Sequence, residues 1–83
     1  MTPDEKFMIK LYEVAKQRGD PRRPINYQAV AKSIGLKETA IKNIVKHLAQ
    51  ANLIKKIDET TLLLTDRGCA LVLEMLQNRN LKS

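Results

Sequence analysis

The chain reads as mainly helical with one small β-hairpin. Three observations carry that reading. Apolar residues recur at three- and four-residue spacings in several stretches, one glycine joins two of these stretches almost without a linker, and between Leu53 and Thr65 the period becomes that of strands. With 83 residues and 43% apolar composition, the chain is expected to form a single domain over residues 1–83, with one modest core.

The first helix is expected over about residues 3–18. Thr2 is an N-cap candidate, Pro3 takes the first helical position, and Glu5 stands at capping-box spacing from Thr2. Phe7, Leu11, Val14 and Ala15 form its inward stripe, and Gly19-Asp20-Pro21 ends it. Asn26 can cap a second helix over about 27–34, with Val30, Ala31 and Ile34 inward. Gly35 stops that helix, because a left-handed backbone costs glycine little. The third helix begins almost at once and is expected over about 38–51. Ile41, Ile44, Val45 and Leu48 make its apolar stripe, and Asn52 tolerates the left-handed turn that closes it. Leu53 to Ile57 and Thr61 to Thr65 read as two strands of a hairpin over about 53–65, turning at Asp58-Glu59-Thr60. A last helix is expected over about 66–78. It is rich in apolar residues, and Val72, Leu73, Met75 and Leu76 exceed what one small core can absorb.

Composition narrows function before any motif is considered. Fifteen Lys and Arg against nine Asp and Glu give a net charge of +6, which favours an anionic partner. The longest apolar run, Cys69 to Leu73, is far below the roughly 18 residues that span a bilayer. The opening Met1-Thr2-Pro3-Asp4-Glu5 is unlike a signal peptide, and the single cysteine, Cys69, rules out an internal disulfide. A cytoplasmic, nucleoid-associated protein is expected. No glycine-rich phosphate loop, Ser-His-Asp set or metal-ligand cluster is present, so neither enzyme activity nor a metal, cofactor or small-molecule ligand is expected. His47 reads as a solvent-side residue, and Cys69 as a small residue near the start of a helix.

The link between the second and third helices carries the functional signal. Ala31 is small where two helices would cross, Gly35 permits the sharp turn, and Ile41 and Ile44 seat the third helix on the second. This is a helix-turn-helix arrangement. The run Ile25 to Leu36 resembles the first half of many winged helix-turn-helix DNA-binding domains. Ile41 to Ile54 resembles their recognition helix and its Leu-Ile entry into the wing. Leu64-Thr65-Asp66-Arg67-Gly68 resembles the exit from the wing in bacterial and archaeal members. The order of elements is similar to that of small transcriptional regulators of the multiple-antibiotic-resistance-repressor type.

The resemblance implies that the third helix enters the major groove of double-stranded DNA. At 100° per residue, Thr39, Asn43, Lys46 and Gln50 point away from the apolar stripe, with Lys42 and His47 on the flanks. Asn43 can pair with adenine, and Lys42 and Lys46 can reach guanine or phosphate. Lys37 and Lys32 suit phosphates, as do the backbone N–H groups at Tyr27 and Gln28, where the second helix starts. Lys55 and Lys56 place positive charge on the hairpin, but its acidic tip, Asp58-Glu59, repels DNA. A homodimer joined through Val72, Leu73, Met75 and Leu76 would read two half-sites. The competing reading is a winged-helix protein-interaction module, supported by the acidic tip and the apolar last helix. Binding to double-stranded RNA is disfavoured, because a helix cannot enter the narrow A-form major groove.

Overall fold

The computed structural model describes residues 2–81. Four helices, α1 (Pro3–Gln17), α2 (Tyr27–Ser33), α3 (Glu38–Gln50) and α4 (Asp66–Leu81), surround three short strands, β1 (Ile25–Asn26), β2 (Ile54–Lys56) and β3 (Thr61–Leu64). The architecture is mainly helical with a small antiparallel sheet of order β1-β3-β2.

Local chemistry accounts for most boundaries. The Thr2 hydroxyl accepts the Glu5 amide at 3.3 Å, while the Glu5 carboxylate accepts the Thr2 amide at 3.2 Å, completing the capping box of α1. Asn26 Oδ1 accepts both the Gln28 and Ala29 amides and so caps α2. Gly35 lies at φ +74°, in the left-handed region, and the Leu36 amide then donates to the Ala31 carbonyl at 2.9 Å. This is how the chain leaves α2 and starts α3 within a few residues. Asn52, at φ +60°, makes the second such turn, between α3 and β2.

The expected hairpin forms between β2 and β3, with Ile54 opposite Leu64 and Lys56 opposite Leu62. The other edge of β3 pairs with β1, Ile25 opposite Leu62 and Asn26 opposite Thr61, an interaction the sequence pattern does not announce. The strand residues facing the helices, Ile25, Ile54, Leu62 and Leu64, are all buried.

α1 is the hub of the molecule, packing on α2, α3, α4, β1 and β3. Its Phe7, Met8, Leu11 and Ala15 are essentially solvent-free, and Ile41, Ile44, Val45 and Leu48 of α3 join the same core. Among the described residues no charged or polar residue is buried, and no buried side-chain polar atom lacks a partner. Val72 of α4 is fully buried in this core, which corrects its expected place on a dimer surface. Because α4 turns Val72 inward, Leu73 is the large apolar residue left 45% exposed, with Met75 and Leu76 partly covered. No described helix is long and apolar enough to cross a membrane.

The exit from the hairpin depends on two small residues. Thr65 donates its hydroxyl hydrogen to the Asn52 carbonyl at 2.6 Å, and its Oγ1 accepts the Gly68 amide at 3.1 Å, tying the start of α4 to the turn after α3. Gly68 lies so close to Leu53 that a Cβ there would overlap the Leu53 carbonyl oxygen. In an unconstrained helix, Gly→Ala stabilises by up to about 1 kcal/mol. Here Gly68→Ala should reverse the sign and cost about 1–3 kcal/mol, the usual range for overpacking. Urea unfolding checks this, and a midpoint at or above that of the wild type would contradict the packing described.

Candidate nucleic-acid interface

Burial of one face of α3 dictates what the other face presents. With Ile41, Ile44, Val45 and Leu48 in the core, Thr39, Lys42, Asn43, Lys46, His47 and Gln50 are all exposed. Lys37, the N-terminal flank of α3, and Lys32 on α2 are also exposed. The face is not free of acid. Glu38, in the first turn, places Oε1 3.8 Å from the Lys42 ammonium, with both side chains largely in solvent. An exposed i,i+4 pair of this kind contributes a few tenths of a kcal/mol at most and leaves Lys42 free to exchange partners.

Two clefts flank α3 on the side of α2. The smaller, of about 290 Å³, is lined by Gln28, Ala31, Lys32, Leu36, Glu38 and Lys42, among others. The larger is a groove of about 600 Å³ between α3, the start of α2 and the hairpin tip. Tyr27, Val45 and Ala49 supply its apolar surface, Lys42, Lys46 and Lys56 its positive charge, and Gln28 and Glu59 also border it. The structure therefore brings Lys42, Lys46, Lys56 and Gln28 around one groove. Lys55 is left outside, because neighbouring strand residues point to opposite sides of a sheet.

The start of α2 differs from the sequence expectation. The Tyr27 amide donates to the Thr60 carbonyl at 3.1 Å, and the Gln28 and Ala29 amides are taken by Asn26 Oδ1. The backbone donors expected to receive a phosphate are thus already used. Tyr27 itself is buried, and its hydroxyl donates to the Glu59 carbonyl at 2.6 Å, so it belongs to the framework of the groove rather than to its exposed surface. The exposed Gln28 side chain remains available at the rim.

The basic connector after α1 is likewise occupied. The Arg22 guanidinium donates to Asp66 Oδ1 at 2.7 Å and also lies 3.8 Å from Asp20. Arg23 donates to the Arg18 carbonyl at 3.3 Å. Burial pushes the nearby Cys69 thiol up, away from the reactive thiolate.

Helical geometry alone lists the outward side of α3 as free of acid, and Glu38, exposed at i,i+4 spacing from Lys42, corrects that expectation. Glu59 reads in the sequence only as part of an acidic turn. That Glu59 borders the lysine groove follows from the pairing of Tyr27 with Thr60, a contact across 33 positions that no local pattern encodes.

No family model matches the chain, and no curated protein or solved structure matches it either.

The acidic tip has a structural use. Asp58 Oδ1 accepts the Thr60 amide at 2.9 Å, the Thr61 amide at 2.8 Å and the Thr60 hydroxyl at 3.2 Å. These bonds, the Thr60 amide foremost, hold the carboxyl below its ordinary value of 3.8. A depressed pKa means that the ionised carboxylate stabilises the turn. That contribution is complete above the unfolded value, near pH 4, and is lost as pH falls through the lower folded value. Amide exchange at Thr60 and Thr61 should therefore speed up beyond the intrinsic pH trend only below about pH 4. Asp58→Asn, which keeps an acceptor oxygen, should remove that pH dependence. The same acid-induced change in the variant would show that Asp58 is not its source.

Proposed function

We propose that this chain is a winged helix-turn-helix protein that binds double-stranded DNA in a sequence-dependent way and acts as a transcriptional regulator. α3 is its recognition helix and the β2–β3 hairpin its wing. The observation that carries the reading is the sidedness of α3. Its apolar stripe is consumed by the core, while Thr39, Asn43 and Lys46 stand together on the exposed side. An exposed helix of about 20 Å (13 residues at 1.5 Å each) matches what a B-form major groove accepts.

The residues divide by chemistry. Asn43 carries the donor and acceptor that pair with adenine, and Thr39 suits a thymine methyl or a base edge. Lys42 and Lys46 reach guanine or adjacent phosphates, and Lys37, Lys32 and Lys56 neutralise backbone. Gln28 joins them through its side chain. Lys55, on the other face of the hairpin, contacts DNA only where the duplex wraps past the wing. Glu38 and Glu59 oppose phosphate and limit non-specific affinity.

One domain reads one half-site, so the proposal includes a two-fold homodimer joined through Leu73, Met75 and Leu76 of α4, without Val72. Mass measured against protein concentration should rise from 9.5 kDa toward twice that value. A mass constant at 9.5 kDa at high micromolar concentration removes the dimer from the proposal.

A second reading, a protein-interaction module, draws on one observation: half-exposed Ile57 adjoins the acidic tip and could dock on an apolar, basic surface. Salt separates the two readings. Duplex binding weakens steeply between about 50 and 200 mM salt, whereas apolar docking does not.

The deciding experiment is selection from a random duplex pool at moderate salt. A two-half-site consensus is expected, and recovery of unselected sequence would contradict specific binding. On the best selected site, Asn43→Ala should cost about 1–3 kcal/mol, with little loss on random duplex. Equal losses on the two would remove Asn43 as a base-reading residue.

A further inference from the structure

We infer that Tyr27 is a positioning residue, a latch that fixes the hairpin tip against α2 and so holds Lys56 across the groove from Lys42 and Lys46. The inference rests on the duplex-binding reading above and assigns to Tyr27 a role apart from contact with DNA.

The hairpin is held at two levels. At its base, β1 pairs with β3 through Ile25–Leu62 and Asn26–Thr61. At its tip, Tyr27 grips two consecutive carbonyls, its amide donating to Thr60 at 3.1 Å and its hydroxyl to Glu59 at 2.6 Å. The turn residues 57–60 are otherwise exposed and bonded within the hairpin itself, through Asp58 Oδ1 and through the Ile57 and Asp58 amides to the Thr61 carbonyl. Among the described residues, the Tyr27 hydroxyl makes the side-chain hydrogen bond that ties the tip to the helices, beside the backbone bond of the Tyr27 amide. Tyr27 also lines the groove whose opposite walls carry Lys42 and Lys46 on one side and Lys56 on the other.

Lys56 ends the β2 ladder beside the turn, so a loose tip would leave its side chain variable in position against Lys42 and Lys46. A latched one presents the three charges at fixed spacing, so less entropy is lost when they engage a backbone together. The Glu59 carbonyl lies at an exposed tip, where water can replace a lost phenol donor. Removing the hydroxyl alone should thus loosen the tip without undoing the core, because the aromatic ring stays in place.

The test uses the whole chain, a duplex carrying the selected site, and Kd measured over a range of salt. Each phosphate contact contributes about 0.9 to the slope of log K against log salt. Tyr27→Phe should unfold at the urea midpoint of the wild type, yet lose a measurable part of that contribution of about 0.9 from the slope. Lys56→Gln should lose the full amount of about 0.9, and the double variant no more than Lys56→Gln alone. A Y27F slope equal to that of the wild type, or losses that add in the double variant, would overturn the latch and leave the DNA reading standing. A Y27F chain without cooperative unfolding would make the phenol part of the core and overturn it as well. Duplex binding absent from the wild type would defeat both inferences together.

Discussion

The described helices are arranged around one buried surface, the Phe7–Met8–Leu11–Ala15 face of α1. Every other helix and two of the three strands pack against that helix. A domain this small has no second core on which to fall back, so each element must spend its apolar residues there. For α3 the consequence is strict. Four of its thirteen residues are buried, and helical geometry then leaves the polar remainder no direction but outward. The candidate DNA-binding face is thus a by-product of core packing, and its orientation is as secure as the core.

The turns convert that packing into a defined shape. Gly35 and Asn52, both at positive φ, bracket α3 and set its direction at either end. Thr65 and Gly68 then pull the start of α4 onto the Asn52–Leu53 segment, one by hydrogen bonds and the other by the absence of a side chain. The hairpin is anchored at its base by β1 and at its tip by Tyr27. Acidic groups take part in this shaping. Asp58 builds the hairpin turn, and Asp66 holds Arg22 of the connector. An acid on a basic protein is therefore not simply a defect in its charge. In the proposed function it keeps the surface selective, since uniform positive charge binds any polyanion.

Local features were legible in the sequence, and contacts between distant residues were not. The capping box at Thr2 and Glu5, the glycine turn, the stripe of α3 and the hairpin are short-range patterns with their own physical causes, and each appears where its residues place it. The strand β1 escaped notice because two residues, Ile25 and Asn26, cannot display an alternating pattern. Their identity as a strand comes from β3, more than 30 positions away. At the start of α2 the Tyr27 amide goes to distant Thr60, which no local pattern shows, whereas the Gln28 and Ala29 amides go to the Asn26 cap, which the sequence does show and which already leaves no donor there for a phosphate. Val72 is expected on a surface because residues 69–76 of α4 are apolar at every position but Glu74, which leaves periodicity unable to select the inward face. In the candidate site, the outward residues of α3 could be listed from helical geometry alone. The grouping of Lys42, Lys46 and Lys56 around one groove depended on the hairpin's position, which no local rule supplies.

The contact on which the proposed function rests is that of the polar face of α3 with duplex DNA. It is tested most directly by titrating a selected duplex into isotope-labelled protein at moderate salt and following every backbone amide by NMR. The largest shifts should fall on Thr39, Asn43, Lys46 and Gln50, with smaller ones at Gln28 and Lys56 and almost none along the inward side of α1. Shifts that leave α3 untouched and gather instead around Leu73 or Ile57 would contradict it.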